Sequence, residues 1–168
     1  MKICGLIGSP KKKGNVDLLV SRILEGAQTR GTYTYKLYLN ELKIKPCQSC
    51  GVDPYPGYCI YEDDMDEVYK LLETCDVIVL GSPIYFDSVS AQTKLMIDRV
   101  NCLMPYVKQA DGSYGFSRRI RKKKKVFLLP PLVLDRNSIQ RWQRFTGSIL
   151  GLTSKKRKCF FTIVTRMN

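Results

Sequence analysis

The chain predicts an α/β fold: a five-stranded parallel sheet in the order 2-1-3-4-5 with helices on its faces. Three observations carry this. Short apolar runs alternate with stretches whose apolar residues recur at helical spacing. One of those runs, D-V-I-V-L-G from Asp76, is continuously apolar after its first residue, as a strand covered on both faces must be. Two of the runs end in the same tripeptide, Gly8-Ser9-Pro10 and Gly81-Ser82-Pro83. In a doubly wound sheet of this order, strands 1 and 3 are neighbours whose carboxyl ends form the ligand crevice.

The elements follow in order. Lys2–Gly8 reads as a buried first strand. From Asn15 to about Gln28, Val16, Leu19, Val20, Ile23, Leu24 and Ala27 form the stripe of an amphipathic helix, with Asn15 placed as its N-cap. Thr32–Leu39 is β-branched and aromatic and reads as the second strand. A loop rich in Cys, Pro and Gly spans 47–60. A helix starts at Asp63 or Asp64, with Asp66 and Glu67 in the first turn, where the helix dipole favours anions. Its core stripe is Met65, Val68, Leu72 and Cys75. Asp76–Gly81 is the third strand. Ser88 or Ser90 caps the next helix, Ala91–Leu103, and residues 105–121 form a polar excursion. Lys125–Leu129 is the fourth strand. A helical stripe at Ile139, Trp142, Phe145 and Ile149 precedes a fifth strand candidate at Cys159–Thr165.

The 168 residues suit one domain spanning 1–168, with an atypical basic part from about 118. Of the 28 Lys and Arg, 13 lie in residues 1–110 beside 13 Asp and Glu, so the net charge of +13 belongs wholly to the remainder. The runs R-R-I-R-K-K-K-K (118–125) and K-K-R-K (155–158) could attract nucleic acid through phosphate. A solvated basic face is the favoured reading, and nucleic acid is not an expected partner. Histidine is absent, which excludes Ser-His-Asp and Cys-His catalysis and His-ligated zinc. No apolar run is long enough for a membrane span or a signal peptide, so a cytoplasmic protein is expected. The seven cysteines are then expected to be free thiols. Cys4, Cys75, Cys102 and Cys159, in apolar contexts, read as core residues.

The first loop, G-S-P-K-K-K-G-N-V, lacks the G-K-[ST] ending of a Walker A loop and contains no G-x-G-x-x-G. It still has the parts of a phosphate site. A strand-to-helix turn aims backbone N–H groups at one point, and Ser9, Lys11, Lys12, Lys13 and Asn15 add donors. The competing reading is a solvated Lys-rich turn. The second loop, G-S-P-I-Y-F-D-S from Gly81, sets Tyr85 and Phe86 beside it, where they stack on a planar ring or pack against a neighbouring helix or subunit.

The stretches G-S-P-K-K-K-G-N-V-D-L-L, K-P-C-Q-S-C…Y-C-I-Y-E-D-D-M and G-S-P-I-Y-F-D-S-V-S-A-Q-T-K-L-M-I-D-R resemble the NADPH-dependent FMN reductases and iron-sulfur flavoproteins of the flavodoxin-like superfamily, over about residues 1–101. The resemblance implies a flavodoxin-like three-layer sandwich. It implies FMN as cofactor, with Ser9, Lys11, Lys13, Gly14, Asn15 and Val16 around its phosphate and Ser82, Pro83, Ile84, Tyr85 and Phe86 against its ring. It further implies an NAD(P)H-dependent oxidoreductase with a small-molecule or protein electron partner, assembled as a homodimer or homotetramer. Three departures from the family pattern stand out. Val16 replaces the usual Thr, Pro130-Pro131 replace a Gly-rich loop, and the final helix is not evident after the fifth strand candidate. The iron-sulfur flavoproteins carry four cysteines as C-x2-C-x2-C-x(4–7)-C. Here the spacing gives Cys47, Cys50 and Cys59 with Asp53 in the third place. An iron-sulfur cluster on these residues, with Asp53 as fourth ligand, competes with a structural loop. The structural loop is favoured, because a cluster normally takes four thiolates.

Overall fold

The computed structural model describes residues 1–86, 88–120 and 125–129, all of which fall in one compact unit, Met1–Leu132. A central parallel sheet holds β1 (Lys2–Ile7), β2 (Tyr33–Tyr38), β3 (Val77–Gly81) and β8 (Lys125–Leu129) in the order β2-β1-β3-β8. This is the expected 2-1-3-4 arrangement. The fifth strand candidate, the stripe at 139–149 and the residues 130–131 lie outside the described residues.

Helix α1 (Asn15–Gln28) crosses from β1 to β2, and α2 (Met65–Thr74) leads into β3. Alternation along β1 assigns its two faces. Ile3 and Ile7 join Val20, Leu24, Val77, Val79 and Leu129 in one core cluster beneath α1. Cys4 faces the other side, where its thiol meets Cys75 at the end of α2. Both cysteines are fully buried, as expected for core residues.

Two close approaches at the sheet's carboxyl edge need glycine. A Cβ on Gly81 would stand 2.7 Å from Val16 Cγ1 and 2.9 Å from Val20 Cγ2, so its absence lets α1 lie against the strand. A Cβ on Gly8 would stand 1.8 Å from Thr93 Oγ1, in the first turn of α3 (Ala91–Arg99).

Several boundaries differ from expectation. The N-cap of α1 is Gly14, with no side-chain cap, and Asn15 is the first helical residue. The Lys-Lys-Lys-Gly turn brings the chain in one residue earlier because Lys13 takes a left-handed conformation, φ 58°. α3 stops at Arg99 and tightens into a 3-10 turn, Val100–Leu103, where continuous helix to Leu103 was expected. The polar excursion contains a hairpin, β6 (Tyr106–Lys108) with β7 (Tyr114–Phe116). Tyr106 meets Tyr114 and Phe116 across it, with ring centroids 6.0 and 5.1 Å apart, and all three rings are exposed. Among the described residues no helix is long and apolar enough to cross a membrane.

Candidate functional site

Parallel pairing sets Ile7 beside Gly81, and the Gly8 N–H donates to the Gly81 carbonyl at 2.7 Å. The two Gly-Ser-Pro loops therefore leave adjacent strands side by side.

The first loop is shaped by hydrogen bonds to its own backbone. The Lys11 N–H donates to Ser9 Oγ at 3.2 Å, and the Gly14 N–H to the Lys11 carbonyl at 3.3 Å. The Lys13 N–H donates to Asp17 Oδ2 at 2.7 Å. The first intrahelical bond runs from Leu18 N–H to the Gly14 carbonyl. Consequently the N–H groups of Asn15, Val16 and Asp17 have no helical partner, and no side chain caps them. Around this open N-terminus Lys11, Lys13 and Asn15 are exposed, while Ser9 is buried. Lys12 is held aside by an ion pair with Glu41. Val16 turns its side chain onto Gly81 and the core, so it can offer a ligand only its backbone N–H.

Sequence reading missed the residue that anchors this loop. Asp17 is buried, and its carboxylate accepts from Lys36 Nζ (2.9 Å), Tyr38 Oη (3.0 and 3.1 Å) and Ser21 Oγ (3.2 Å) besides Lys13 N–H. An acid in the first turn of a helix signals favourable dipole placement; its partners on β2 become visible only in three dimensions. Burial raises the carboxyl's pKa, but the Lys36 ammonium, the Lys13 N–H and the Tyr38 hydroxyl outweigh it and hold the group at about 2. The folded-state pKa is depressed, so the stabilisation is complete above the ordinary carboxyl range near pH 4. It is lost as pH falls toward 2, in total about 2 kcal/mol. Asp17→Asn should therefore remove much of the wild type's loss of stability between pH 5 and pH 2, measured by urea unfolding across that range. Parallel stability profiles for the two proteins would contradict the assignment.

The second loop forms a small hairpin, β4 (Ile84–Tyr85) with β5 (Ser88–Val89). Its inner side is a buried hydroxyl network. Ser90 Oγ donates to the Gly8 carbonyl at 2.6 Å and lies 2.9 Å from Thr93 Oγ1; Ser82 Oγ accepts from the Ser90 N–H at 3.0 Å. Ser82 is fully buried and its hydroxyl donates to the Pro83 carbonyl. The Ser82 hydroxyl is thus turned inward to Pro83 and Ser90, and it is the Ser90 hydroxyl, on the Gly8 carbonyl, that ties this loop to the first. The outer side carries Tyr85 and Phe86, both exposed, with Pro83 and Ile84 half-buried behind them. Phe86 sits at φ 51°, a left-handed conformation that costs a bulky residue on the order of 1–2 kcal/mol. Such strain is commonly retained where a loop must present a side chain to a ligand.

The profile of the family described as NADPH-dependent FMN reductase matches residues 1–126. The chain belongs to that family. Among curated relatives of this FMN reductase family member, an iron-sulfur flavoprotein of Archaeoglobus fulgidus is 37% identical over 119 residues, covering 70% of this chain and 53% of that protein. An iron-sulfur flavoprotein of Methanocaldococcus jannaschii is 40% identical over 99 residues, 59% of this chain and 51% of that protein. The chain thus spans about half the length of these relatives. The NAD(P)H:quinone oxidoreductase of Methanothermobacter marburgensis superposes with a TM-score of 0.64 at 16% identity, covering 90% of this chain and 74% of that one. That likeness concerns the fold, which is flavodoxin-like.

The cysteine loop of this FMN reductase family member does not fit a cluster. Among the described residues no three His, Cys, Asp or Glu side chains are placed to hold a metal ion. Asp53, the candidate fourth ligand, is instead 2.9 Å from Arg119 Nη2. Arg119 was read as part of a basic run. It is largely buried here, donating to the Gly57 carbonyl at 2.7 Å and lying over the Tyr55 and Tyr58 rings. The loop's flanks are fixed by Arg99, fully buried, which donates to the Lys45 carbonyl (2.8 Å) and to both Asp63 oxygens (2.7 and 3.1 Å). Cys50 is exposed, and Cys47 and Cys59 are half-buried. Cys102, expected in the core, is half-buried beside Cys59, because the helix ends before it and the 3-10 turn swings it toward the loop. Burial, with Cys59 and Cys47 nearby, pushes its thiol up to about 11.

Proposed function

We propose that this chain binds FMN across its two Gly-Ser-Pro loops and works as an NAD(P)H-dependent oxidoreductase delivering reducing equivalents to a quinone-type or protein acceptor. The observation that carries the reading is the uncapped N-terminus of α1 facing exposed Lys11, Lys13 and Asn15, one strand away from the exposed Tyr85 and Phe86. A dianionic phosphate needs the first set: unpaired N–H groups, a helix dipole and mobile cations. A flat heteroaromatic ring suits the second. Gly14 keeps the turn open at its closest point, where the nearest atom to an added Cβ would be the Lys11 carbonyl at 3.1 Å.

Bound there, FMN would supply hydride and single-electron transfer. The chain's own residues bind and orient. Ser9 Oγ, having accepted the Lys11 N–H, keeps its proton to donate; the N–H groups of Asn15 and Val16 point along the helix axis; Pro83, Ile84, Tyr85 and Phe86 form the ring's contact surface. No acid or base is assigned, in keeping with the absence of histidine. The family to which the chain belongs and the names of its relatives support the reading, and assembly as a homodimer or homotetramer would cover the exposed rings of Tyr85, Phe86 and the β6–β7 hairpin. Sedimentation of the flavin-loaded chain as a monomer would refute the assembly.

Titration of the purified chain with FMN tests the site. Flavin fluorescence should be quenched at micromolar concentration or below, and the protein should retain yellow colour on gel filtration. Asn15→Ala should weaken binding about tenfold, the effect of one lost charge-assisted hydrogen bond of about 1–2 kcal/mol. Because Asn15 is not the cap of α1, its thermal stability should stay near that of the parent. Unchanged affinity in the variant would place the phosphate elsewhere.

A further inference from the structure

A third segment reaches the carboxyl edge of the sheet beside the two Gly-Ser-Pro loops. After β2 the chain makes one 3-10 turn, Leu39–Glu41. Leu39 is fully buried, and its carbonyl accepts the Leu42 N–H at 3.3 Å. Asn40 Oδ1 accepts from Gln92 Nε2, in the first turn of α3, at 2.8 Å. The turn is therefore held from two sides, and it carries Glu41 to the first loop. There the Glu41 carboxylate forms an ion pair with Lys12. The same ammonium lies 5.1 Å from the centre of the Tyr38 ring, whose hydroxyl donates to Asp17, the anchor of that loop.

Lys12 is two residues from Gly14, the N-cap of α1, so their Cα atoms are at most about 7.6 Å apart. That is inside the distance over which charges act at physiological salt, about 8 Å. The side chains of Lys12 and Glu41 are 61% and 50% exposed, so parting them leaves neither charge desolvated. Among the described residues, Lys12 is the one lysine of this loop engaged in an ion pair.

We propose that Glu41 is a selectivity residue of the first loop: its carboxylate and an incoming phosphate compete for the Lys12 ammonium. The inference rests on the phosphate reading of that loop and deepens it. A phosphate monoester carries close to two negative charges at neutral pH and has the N-terminus of α1 beside it. It therefore takes Lys12 over, and the Glu41 carboxylate is left to water. The exchange costs the ligand one exposed ion pair. A ligand without phosphate has nothing to offer Lys12 and leaves the pair intact. Glu41 thus lowers affinity for phosphate esters and leaves affinity for an uncharged ring system alone.

The test compares FMN with riboflavin, which has the same ring and no phosphate, by flavin fluorescence quenching on the full chain. Glu41→Gln should tighten FMN about two- to fivefold, the strength of an exposed ion pair, and leave riboflavin unchanged. In the Lys12→Gln background the same substitution should give a smaller gain, because no ammonium is left to release. Both side chains are exposed, so the thermal unfolding midpoints of all variants should stay close to the parent's. The proposal is overturned if Glu41→Gln binds FMN no tighter than the parent, if riboflavin tightens equally, or if the gain is as large without Lys12. A parent with no preference for FMN over riboflavin would show that the loop holds no phosphate, which defeats the underlying reading as well. A parent that prefers FMN but does not respond to Glu41→Gln defeats the role of Glu41 alone.

Discussion

Arg99→Met should destabilise the chain by about 3–5 kcal/mol, the usual consequence of removing one partner from a buried ion pair. The guanidinium is fully buried and serves both Asp63 oxygens and the Lys45 carbonyl. Methionine fills a similar volume but leaves Asp63, itself nearly inaccessible, without its cation. The Asp63 carboxyl is raised by burial but drawn below its usual range by Arg99 and by the N–H groups of Lys45 and Met65. In the variant only the N–H groups would remain to oppose burial. The double variant Arg99→Met/Asp63→Leu should recover part of the loss, because it removes both charges rather than orphaning one. Urea unfolding of the three proteins measures this. Equal midpoints for parent and single variant would show that the pair is solvated in solution. Because Arg99 and Asp63 also bracket the cysteine loop, the single variant should expose Cys47 and Cys59 to alkylation faster than the parent.

Gly8→Ala is the second large effect, with an expected cost of about 3 kcal/mol, at the upper end for an overpacked site. The added methyl would stand 1.8 Å from Thr93 Oγ1. That hydroxyl cannot simply rotate away, since it is 2.9 Å from Ser90 Oγ, which in turn donates to the Gly8 carbonyl at 2.6 Å. Relief requires β1 and the start of α3 to separate, which moves both Gly-Ser-Pro loops relative to each other. FMN affinity should fall at least tenfold alongside the loss of stability. Gly26→Ala is the control. It lies in α1 with nothing within 4 Å of an added Cβ, so it should stabilise by about 0.5–1 kcal/mol through helix propensity and leave flavin binding unchanged. If Gly8→Ala unfolds and binds like the parent, the close packing at this edge is not maintained in solution.

Much of the architecture was legible in the residues because burial imposes patterns on them. The unbroken apolar run at 77–81 could only be a strand covered on both sides, and the stripe from Val16 to Ala27 could only bury one helical face. Both are local consequences of the hydrophobic effect acting on a backbone of known period. The twin Gly-Ser-Pro ends marked two strands that leave the same sheet edge side by side for a similar reason: a chain that must turn sharply at a sheet edge needs small residues there. The side-chain roles were less legible. Asn15 has the chemistry of a cap and is not one, since the left-handed Lys13 brings Gly14 into that position. Ser82 has the chemistry of a ligand donor and is used internally, because Ser90 sits opposite it.

What the sequence determined by itself is thus the class of fold, the order of its first four strands, the adjacency of the two Gly-Ser-Pro loops and the exclusion of histidine chemistry. Each follows from period, composition or local turn geometry. The tertiary structure alone decided which groups meet across long separations. It set Asp17 against Lys36 and Tyr38, Asp53 against Arg119, Asp63 against Arg99 and Cys59 against Cys102. Charges and thiols have no periodic signature, and their partners are chosen by where the crossovers and loops return to the sheet. The spacing around Cys47, Cys50 and Cys59 offered a metal site as the less favoured reading, and the folded loop spends its third position, Asp53, on an arginine.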